Sequence, residues 1–167
     1  MSLVHKTNTE PLKGFLSDTF ILDSLFNCIS VDSVTELDMT FLSCRMDSFN
    51  NPILIQSKKV NERYRRTWSK FIRLHLDIEN ISHIGIKKII KPHIDCALHQ
   101  DFYVDNKKNF IQATNIQIGD ELLTFSFDTK VMVKKIELLK NEGERNIHEF
   151  KNIVDNNNFF ANCILTR

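Results

Sequence analysis

The sequence predicts an all-β domain, and three observations support this class. Short apolar or alternating runs, which are typical of strands, recur along the chain at steady spacing. Residues that favour turns separate these runs, as at 50–52 (Asn-Asn-Pro) and 141–143 (Asn-Glu-Gly). The chain also contains 13 Phe residues, and aromatic and β-branched side chains fit the pleated surface of a sheet.

Five segments have the pattern of strands. They lie at 28–35, 53–55, 84–90, 101–104 and 131–137. Pro92 limits the third segment, because proline cannot donate a hydrogen bond to a neighbouring strand. Residues 105–108 have the composition of a hairpin turn. The chain is therefore expected to consist of short strands joined by turns.

The length and composition are those of a single globular domain. A chain of 167 residues, 42% hydrophobic and 26% charged, forms one domain with a real core. The net charge of +1 gives the molecule no strong electrostatic preference for nucleic acid or an anionic membrane. No apolar run reaches the roughly 20 residues that span a bilayer, and the N-terminus lacks the plan of a signal peptide. We therefore expect a cytoplasmic monomer without a membrane or nucleic-acid partner.

One segment favours a different function. Residues 58–73 contain seven Lys or Arg, interleaved with Tyr64, Trp68 and Phe71. Basic groups between stacking aromatics are typical of a surface that binds single-stranded nucleic acid. A solvated charged face with its apolar residues turned inward has the same composition. A nucleic-acid-binding module that uses residues 58–73 is therefore kept as an alternative hypothesis.

The chain has four widely spaced cysteines and no C-x-x-C pair: Cys28, Cys44, Cys96 and Cys163. In a reducing compartment they are free thiols, either buried or reactive. Cys96 lies between His93 and His99 at a spacing that suits a metal site. This set has no obvious fourth ligand, and residues three apart on a strand point to opposite faces. We therefore expect no metal and no cofactor.

The C-terminal stretch is unusually apolar for a chain end, which is ordinarily polar and frayed. Residues 158–165 are Asn-Phe-Phe-Ala-Asn-Cys-Ile-Leu, which predicts a terminal strand built into the core. This stretch closely matches the ending N-F-F-A-N-G-I-L of the Hint fold, which inteins and hedgehog-type autoprocessing domains share. Three further stretches resemble blocks of that family in the right order: 28–33, 96–99 and 113–122.

The resemblance implies a compact, horseshoe-like Hint domain at 28–167, preceded by a flanking segment at 1–27. Inteins process their own host protein, so the implied partner is the flanking sequence of the same chain, in cis. By resemblance, the thiolate of Cys28 attacks the carbonyl of Asn27 and forms a thioester through an N–S acyl shift. His99 is the implied helper, since an imidazole transfers protons near neutral pH.

Several positions depart from the family pattern. Cys96 stands where the family has a Thr that donates to the scissile bond, and Asn157 stands where it has a His. The acidic helper is matched by either Glu149 or Asp155. Cys163 replaces a Gly, which matters if the backbone there has a positive φ.

The end of the sequence departs further. Arg167 stands where the family has a His, and the following Asn and its downstream Cys, Ser or Thr are absent. We therefore expect at most N-terminal autocatalytic cleavage, at the peptide bond between Asn27 and Cys28. The alternative is a catalytically dead Hint-fold relic that acts as a structural or binding β domain.

Overall fold

The computed structural model describes residues 13–34, 40–57, 60–79, 90–153 and 157–167. The strands are β1 (Phe15–Leu16), β2 (Phe20–Leu22), β3 (Cys28–Ser30), β4 (Phe41–Met46), β5 (Pro52–Ser57), β6 (Val60–Glu79), β7 (His93–Cys96), β8 (Asp101–Val104), β9 (Asn109–Gln112), β10 (Glu121–Leu122), β11 (Lys130–Ile153), β12 (Phe159–Ala161) and β13 (Ile164–Thr166). Single turns of 3-10 helix lie at Val31–Ser33, Asp105–Lys107 and Ala113–Asn115. The predicted all-β class is confirmed.

Most strands belong to one antiparallel sheet. Among the described residues it contains eleven strands, in the order β1-β7-β6-β11-β10-β8-β13-β12-β2-β3, with β9 paired to β8. Strands β4 and β5 form a separate hairpin. The first two described strands therefore neighbour strands from the C-terminal part, because β1 pairs with β11 and β2 pairs with β12.

The long strands β6 and β11, with 20 and 24 residues, pair with each other along most of their length. Alternation of the sequence explains which way their side chains face. In β6, Ile72, Leu74 and Leu76 are buried, whereas Arg73 and His75 between them lie half-exposed on the opposite face. One face of this part of the sheet therefore packs into the core and the other carries polar groups.

Two strands come from the segment that the sequence assigns to a flank. Phe15 of β1 pairs with both His148 and Cys96, and Ile21 of β2 pairs with Ala161. Phe15 and Ile21 are at most 1% exposed. Residues 15–22 are therefore integral to the sheet and its core, rather than a segment outside the folded unit.

Aromatic side chains form the middle of the core. The Phe159 ring lies in contact with three other rings, at centroid distances of 6.1 Å to Phe15, 6.3 Å to Phe41 and 5.7 Å to Phe150. The Phe15 ring also meets that of Phe102 at 6.0 Å, edge to face. Such edge-to-face pairs stabilise the fold beyond the area that they bury. Phe159 thus anchors the C-terminal stretch in the core, as predicted.

Several local predictions are confirmed. The predicted strands at 53–55, 101–104 and 131–137 lie within β5, β8 and β11. The predicted turn at 105–108 joins β8 to β9, and it closes with Lys108 in the left-handed conformation. The predicted strand at 84–90 falls almost wholly on residues 80–89, which lie outside the described part of the chain.

Two local predictions are wrong in part. The strand predicted at 28–35 ends at Ser30, because the Ser30 hydroxyl accepts a hydrogen bond from the Asp32 amide and begins a 3-10 turn. The turn predicted at 141–143 is instead an irregularity inside β11, where the pairing with β6 shifts register between Lys140 and Arg145. The positive φ of Gly143, +81°, permits this bulge in a continuing strand.

Gly14 is the glycine most restricted by packing in the described part of the chain. Its φ is +123°, and a Cβ there would approach Ile147 Cγ2 to 2.4 Å and the His148 carbonyl oxygen to 2.6 Å. An L side chain would therefore be strained by its backbone angles and would also collide with β11.

We expect Gly14→Ala to lower the free energy of unfolding by about 2–4 kcal/mol, the sum of backbone strain and overpacking. Gly119→Ala is the matched control, since Gly119 has a φ of +93° and a Cβ added there would meet no atom within 4 Å. The control isolates backbone strain and is expected to cost about 1 kcal/mol. Denaturant unfolding measures the free energy of unfolding of both variants. Equal losses of stability in Gly14→Ala and Gly119→Ala would contradict the predicted steric clash at position 14.

Candidate functional site

The side chain of Gln100 joins the beginning and the end of the described sheet. Gln100 lies between β7 and β8 and is 2% exposed. Its Oε1 accepts a hydrogen bond from the Gly14 amide at 2.8 Å. Its Nε2 donates to Thr166 Oγ1 at 2.6 Å and to the Arg167 carbonyl oxygen at 2.8 Å. One buried amide thus holds the start of β1 against the end of β13.

Backbone hydrogen bonds hold the same two ends. The Ala97 amide donates to the Gly14 carbonyl oxygen at 2.9 Å, beside the pairing of β1 with β7. The Arg167 amide donates to the Asp101 carbonyl oxygen at 3.3 Å, and Thr166 Oγ1 donates to the same oxygen at 2.5 Å. The segment 97–101 is therefore the common support of Gly14 and Arg167.

Charged side chains lie next to the Gln100 hydrogen bonds. The Asp101 carboxylate is largely buried and accepts from Lys13 Nζ at 2.6 Å. Arg167 Nε lies 3.6 Å from the same carboxylate, and its guanidinium lies 4.4 Å from the centre of the Phe110 ring. The negative charge of Asp101 is thus compensated by two cations, one from each end of the described chain.

His99 lies within this supporting segment, next to Gln100. Its side chain is half-buried, and its Nδ1 lies 3.3 Å from Gln112 Oε1. The structure therefore places the predicted helper histidine in the loop that supports the meeting point of β1 and β13. Its side chain meets β9, whereas the neighbouring Gln100 side chain meets Gly14.

Cys96 is a buried residue of the core. It is fully buried on β7, and its thiol donates to the Ile72 carbonyl oxygen at 3.8 Å. Burial, together with the charge of Asp95, raises the pKa of Cys96 well above the usual range of a thiol. The group therefore stays protonated at neutral pH. His93 and Cys96 point to opposite faces of β7, so the motif 93–99 does not converge on one point.

Cys28 and Asn27 lie in a different part of the fold. Cys28 is exposed on the outer strand β3 and pairs with Leu22. In the strand order of the sheet, β2 and β12 lie between β3 and β13, which is the last described strand. The nucleophile and the helper that the sequence predicts are thus on separate elements, β3 and the loop between β7 and β8.

The peptide bond before Cys28 lies where the connection from β2 re-enters antiparallel pairing, after Phe26, which has a φ of +65°. The Asn27 carbonyl oxygen accepts from the Asp23 amide at 3.0 Å, and the Asn27 side chain donates to the Asp23 carboxylate at 2.8 Å. Partial desolvation of the sulfur and the nearby charge of Asp23 raise the pKa of Cys28. Both effects disfavour the thiolate, which is the nucleophilic form.

Three other positions singled out by the sequence lie in the described part of the chain: Cys163, Asn157 and Glu149. Cys163 is buried in the turn between β12 and β13 with a φ of +69°, the left-handed conformation that favours the family's Gly. Asn157 also has a positive φ, +51°. Glu149 is buried on β11, next to the residues of that strand that pair with β1. Asp155 lies outside the described residues.

Sequence reasoning missed Gly14, Gln100 and Asp101. A signal for Gly14 exists, because residues 14–19 (Gly-Phe-Leu-Ser-Asp-Thr) repeat the block pattern seen at 28–33. An apolar residue follows the first position, and an acidic residue precedes a hydroxyl residue. The first position differs, with Gly14 in place of a Cys. Gln100 and Asp101 carry no such signal, since their partners are far away in sequence.

The alternative surface at 58–73 is described only in part. Residues 58–59 and the side chains of 60–69 lie outside the described part. Of the others, Phe71 is fully buried, and Arg73 is paired with Asp95 at 2.7 Å.

No helix among the described residues is long and apolar enough to cross a membrane.

Replacing Gln100 with Met is expected to lower the free energy of unfolding by about 3 kcal/mol, because the Gly14 amide and the Arg167 carbonyl lose a buried partner. Gln and Met have similar side-chain volumes, so the loss of stability measures the lost hydrogen bonds. Hydrogen exchange at the Gly14 amide should become faster. Gln112→Met is the control, with an expected change within about 0.5 kcal/mol. Unchanged exchange at Gly14 in Gln100→Met would contradict the role of this side chain.

Alkaline pH is expected to destabilise the protein through its buried thiols. Burial raises the pKa of Cys44 to about 11, and the pKa of Cys96 is raised further. Thiols of the unfolded chain ionise near pH 8.5, so above that pH the unfolded state loses protons that the folded state keeps. Stability therefore falls as pH rises, by about 1.4 kcal/mol per pH unit for each such thiol.

Denaturant unfolding between about pH 8 and pH 10 measures this slope. Cys96→Ala should make the free energy of unfolding fall less steeply with pH, because one buried thiol no longer contributes. This expectation holds whatever the effect of the substitution on stability at neutral pH. A slope that is the same in the parent protein and in Cys96→Ala would contradict the raised pKa.

Solved structures with the same fold cover nearly the whole chain, although neither a protein-family model nor a curated protein matches it. A bacterial intein-like domain from Clostridium thermocellum matches with 21% identity and a TM-score of 0.69, over 93% of this chain and 99% of that one. The gp41-1 intein matches with 16% identity and a TM-score of 0.64, over 93% and 98%. A DnaB intein from Synechocystis sp. PCC 6803 matches with 12% identity and a TM-score of 0.61, over 93% and 97%.

A match over 93% of the chain is longer than residues 28–167, so it includes part of the segment before Cys28. This agrees with the two strands that this segment contributes to the sheet. The domain of similar structure thus extends upstream of Cys28. The chain has the Hint fold of inteins and intein-like domains.

Proposed function

We propose that this chain is an intein-like Hint domain that keeps the fold and the junction architecture but does not cut the bond between Asn27 and Cys28. The observation that carries the proposal is the separation of Cys28 from the site at Gln100. Cys28 is on the outer strand β3, whereas His99 lies in the segment that supports Gly14 and Arg167.

The N–S acyl shift has three requirements, and the hairpin at Cys28 favours none of them. The thiol must ionise, but its pKa is raised by partial desolvation and by Asp23. The amide must be distorted, but it belongs to an antiparallel pairing with Leu22 and Asp23. A proton donor must reach the amide nitrogen, but the imidazole of His99 contacts Gln112 instead.

Gly14 supports a different position for the N-terminal junction. It is the residue whose amide and carbonyl meet Gln100 and Ala97, next to the end of β13. In the pattern that residues 14–19 share with residues 28–33, Gly14 occupies the first position, which Cys28 occupies in the second stretch. We therefore place the start of the domain near Gly14 rather than at Cys28. Glycine has no side chain that could attack a carbonyl, so this position lacks a nucleophile.

The function that remains is structural and acts in cis. Gly14, with Lys13 before it, and the end of β13 are held side by side through one buried amide and one compensated carboxylate. A domain of this kind keeps two parts of its own polypeptide adjacent without cutting either. This corresponds to the alternative of a catalytically silent Hint domain.

The purified chain is expected to keep its intact mass during prolonged incubation with excess dithiothreitol at neutral and mildly alkaline pH. Electrospray mass spectrometry measures this, with Cys28→Ala as the matched control. Identical, uncut masses for both proteins support the proposal. A fragment that begins at Cys28 in the parent protein and disappears in Cys28→Ala would overturn it, because a thioester at Asn27 would then form. A fragment that begins at Gly14 in both proteins would also overturn it, by showing cleavage without a thiol.

A further inference from the structure

The polar face of the sheet brings together three metal-binding side chains from two elements. Asp18 lies in the turn between β1 and β2, and His93 and Asp95 alternate on the same face of β7. Each offers one ligand atom, and these atoms all lie within 4.8 Å of one another. We propose that Asp18, His93 and Asp95 bind one divalent transition-metal ion, with Zn²⁺ as the probe. The proposal is independent of the junction site at Gln100.

The spacing of the ligand atoms is close to that of a zinc site. Zinc binds nitrogen and oxygen ligands at about 2.0–2.2 Å, so tetrahedral ligand atoms lie about 3.4 Å apart. A separation of up to 4.8 Å therefore closes by side-chain rotation of little more than one ångström. The Asp18 side chain is exposed, whereas Asp95 is buried and held by Arg73.

Asp95 is oriented before any ion binds. Arg73 Nε donates to its Oδ1 and Arg73 Nη2 to its Oδ2, both at 2.7 Å. A bidentate guanidinium uses one acceptor position of each carboxylate oxygen, and the remaining lone pairs stay available. Partners that orient a ligating carboxylate in this way are typical of protein metal sites. The charge of Arg73 also makes two neighbouring carboxylates tolerable in the absence of an ion.

The donor set selects the class of metal. One imidazole nitrogen with two carboxylate oxygens suits Zn²⁺, Co²⁺ or Ni²⁺, whereas Mg²⁺ and Ca²⁺ favour ligand sets made of oxygen alone. A second imidazole lies nearby, since the His75 ring is 6.4 Å from the His93 ring and holds Glu137 at 2.8 Å. Of the two histidines in the motif at 93–99, His93 takes part in this group and His99 does not.

Isothermal titration calorimetry of the metal-stripped full chain with Zn²⁺ tests the proposal. We expect one equivalent to bind, Zn²⁺ to raise the Tm, and Mg²⁺ to have no effect. Asp18→Asn and His93→Ala should each weaken binding about tenfold or more. Asp18 is exposed, so its substitution leaves the core intact, and the Tm of each variant without metal verifies folding.

Two control variants test whether side chains other than Asp18, His93 and Asp95 bind the ion. His99→Ala removes a half-buried histidine of the same motif, and Cys28→Ala removes the exposed thiol. Both should bind Zn²⁺ like the parent protein. The proposal is overturned if the parent protein binds no Zn²⁺, or if binding survives in Asp18→Asn and His93→Ala at the parent affinity. Loss of binding in Cys28→Ala or His99→Ala would likewise overturn it by placing the ion elsewhere.

Discussion

The Gln100 side chain lies where the first and last strands of the sheet meet, and its burial makes its hydrogen bonds obligatory. The Gln100 side chain is 2% exposed, so its amide gives up its hydrogen bonds to water on folding. Protein groups must therefore replace those bonds. Gly14, Thr166 and Arg167 provide those partners. The geometry of both strand ends therefore depends on one residue from the middle of the chain. The close approach of β11 to the same strand end leaves position 14 no room for a side chain.

The aromatic core reinforces this arrangement. Phe15 of β1 and Phe159 of β12 pack edge to face at 6.1 Å, although they are far apart in sequence. Contacts of this kind between early and late segments hold together a sheet in which strands from the two ends of the chain are neighbours. Residues 15–22 thus contribute to the core, which is a physical reason to count them as part of the domain.

Fold and chemistry are separable in this protein. The Hint architecture brings the ends of β1 and β13 together, but the groups at that point are an amide, a compensated carboxylate and a glycine. The thiols lie in environments that disfavour ionisation, whether buried, as Cys96, or beside a carboxylate, as Cys28. The fold alone therefore does not decide the chemistry, since function depends on the site rather than on the fold.

The sequence by itself determined the features that arise from local patterns. Short apolar or alternating runs located β5, β8 and much of β11, and the apolar run at 158–165 identified both a core strand and the family of the fold. Only the tertiary structure decided which of two similar blocks, at 14–19 and at 28–33, lies beside the end of β13. The partner of the Gly14 amide lies 86 positions away, and local sequence carries no trace of such a contact. Asp18 comes close to His93 and Asp95 for a similar reason, because the pairing of β1 with β7 brings the turn after β1 next to β7.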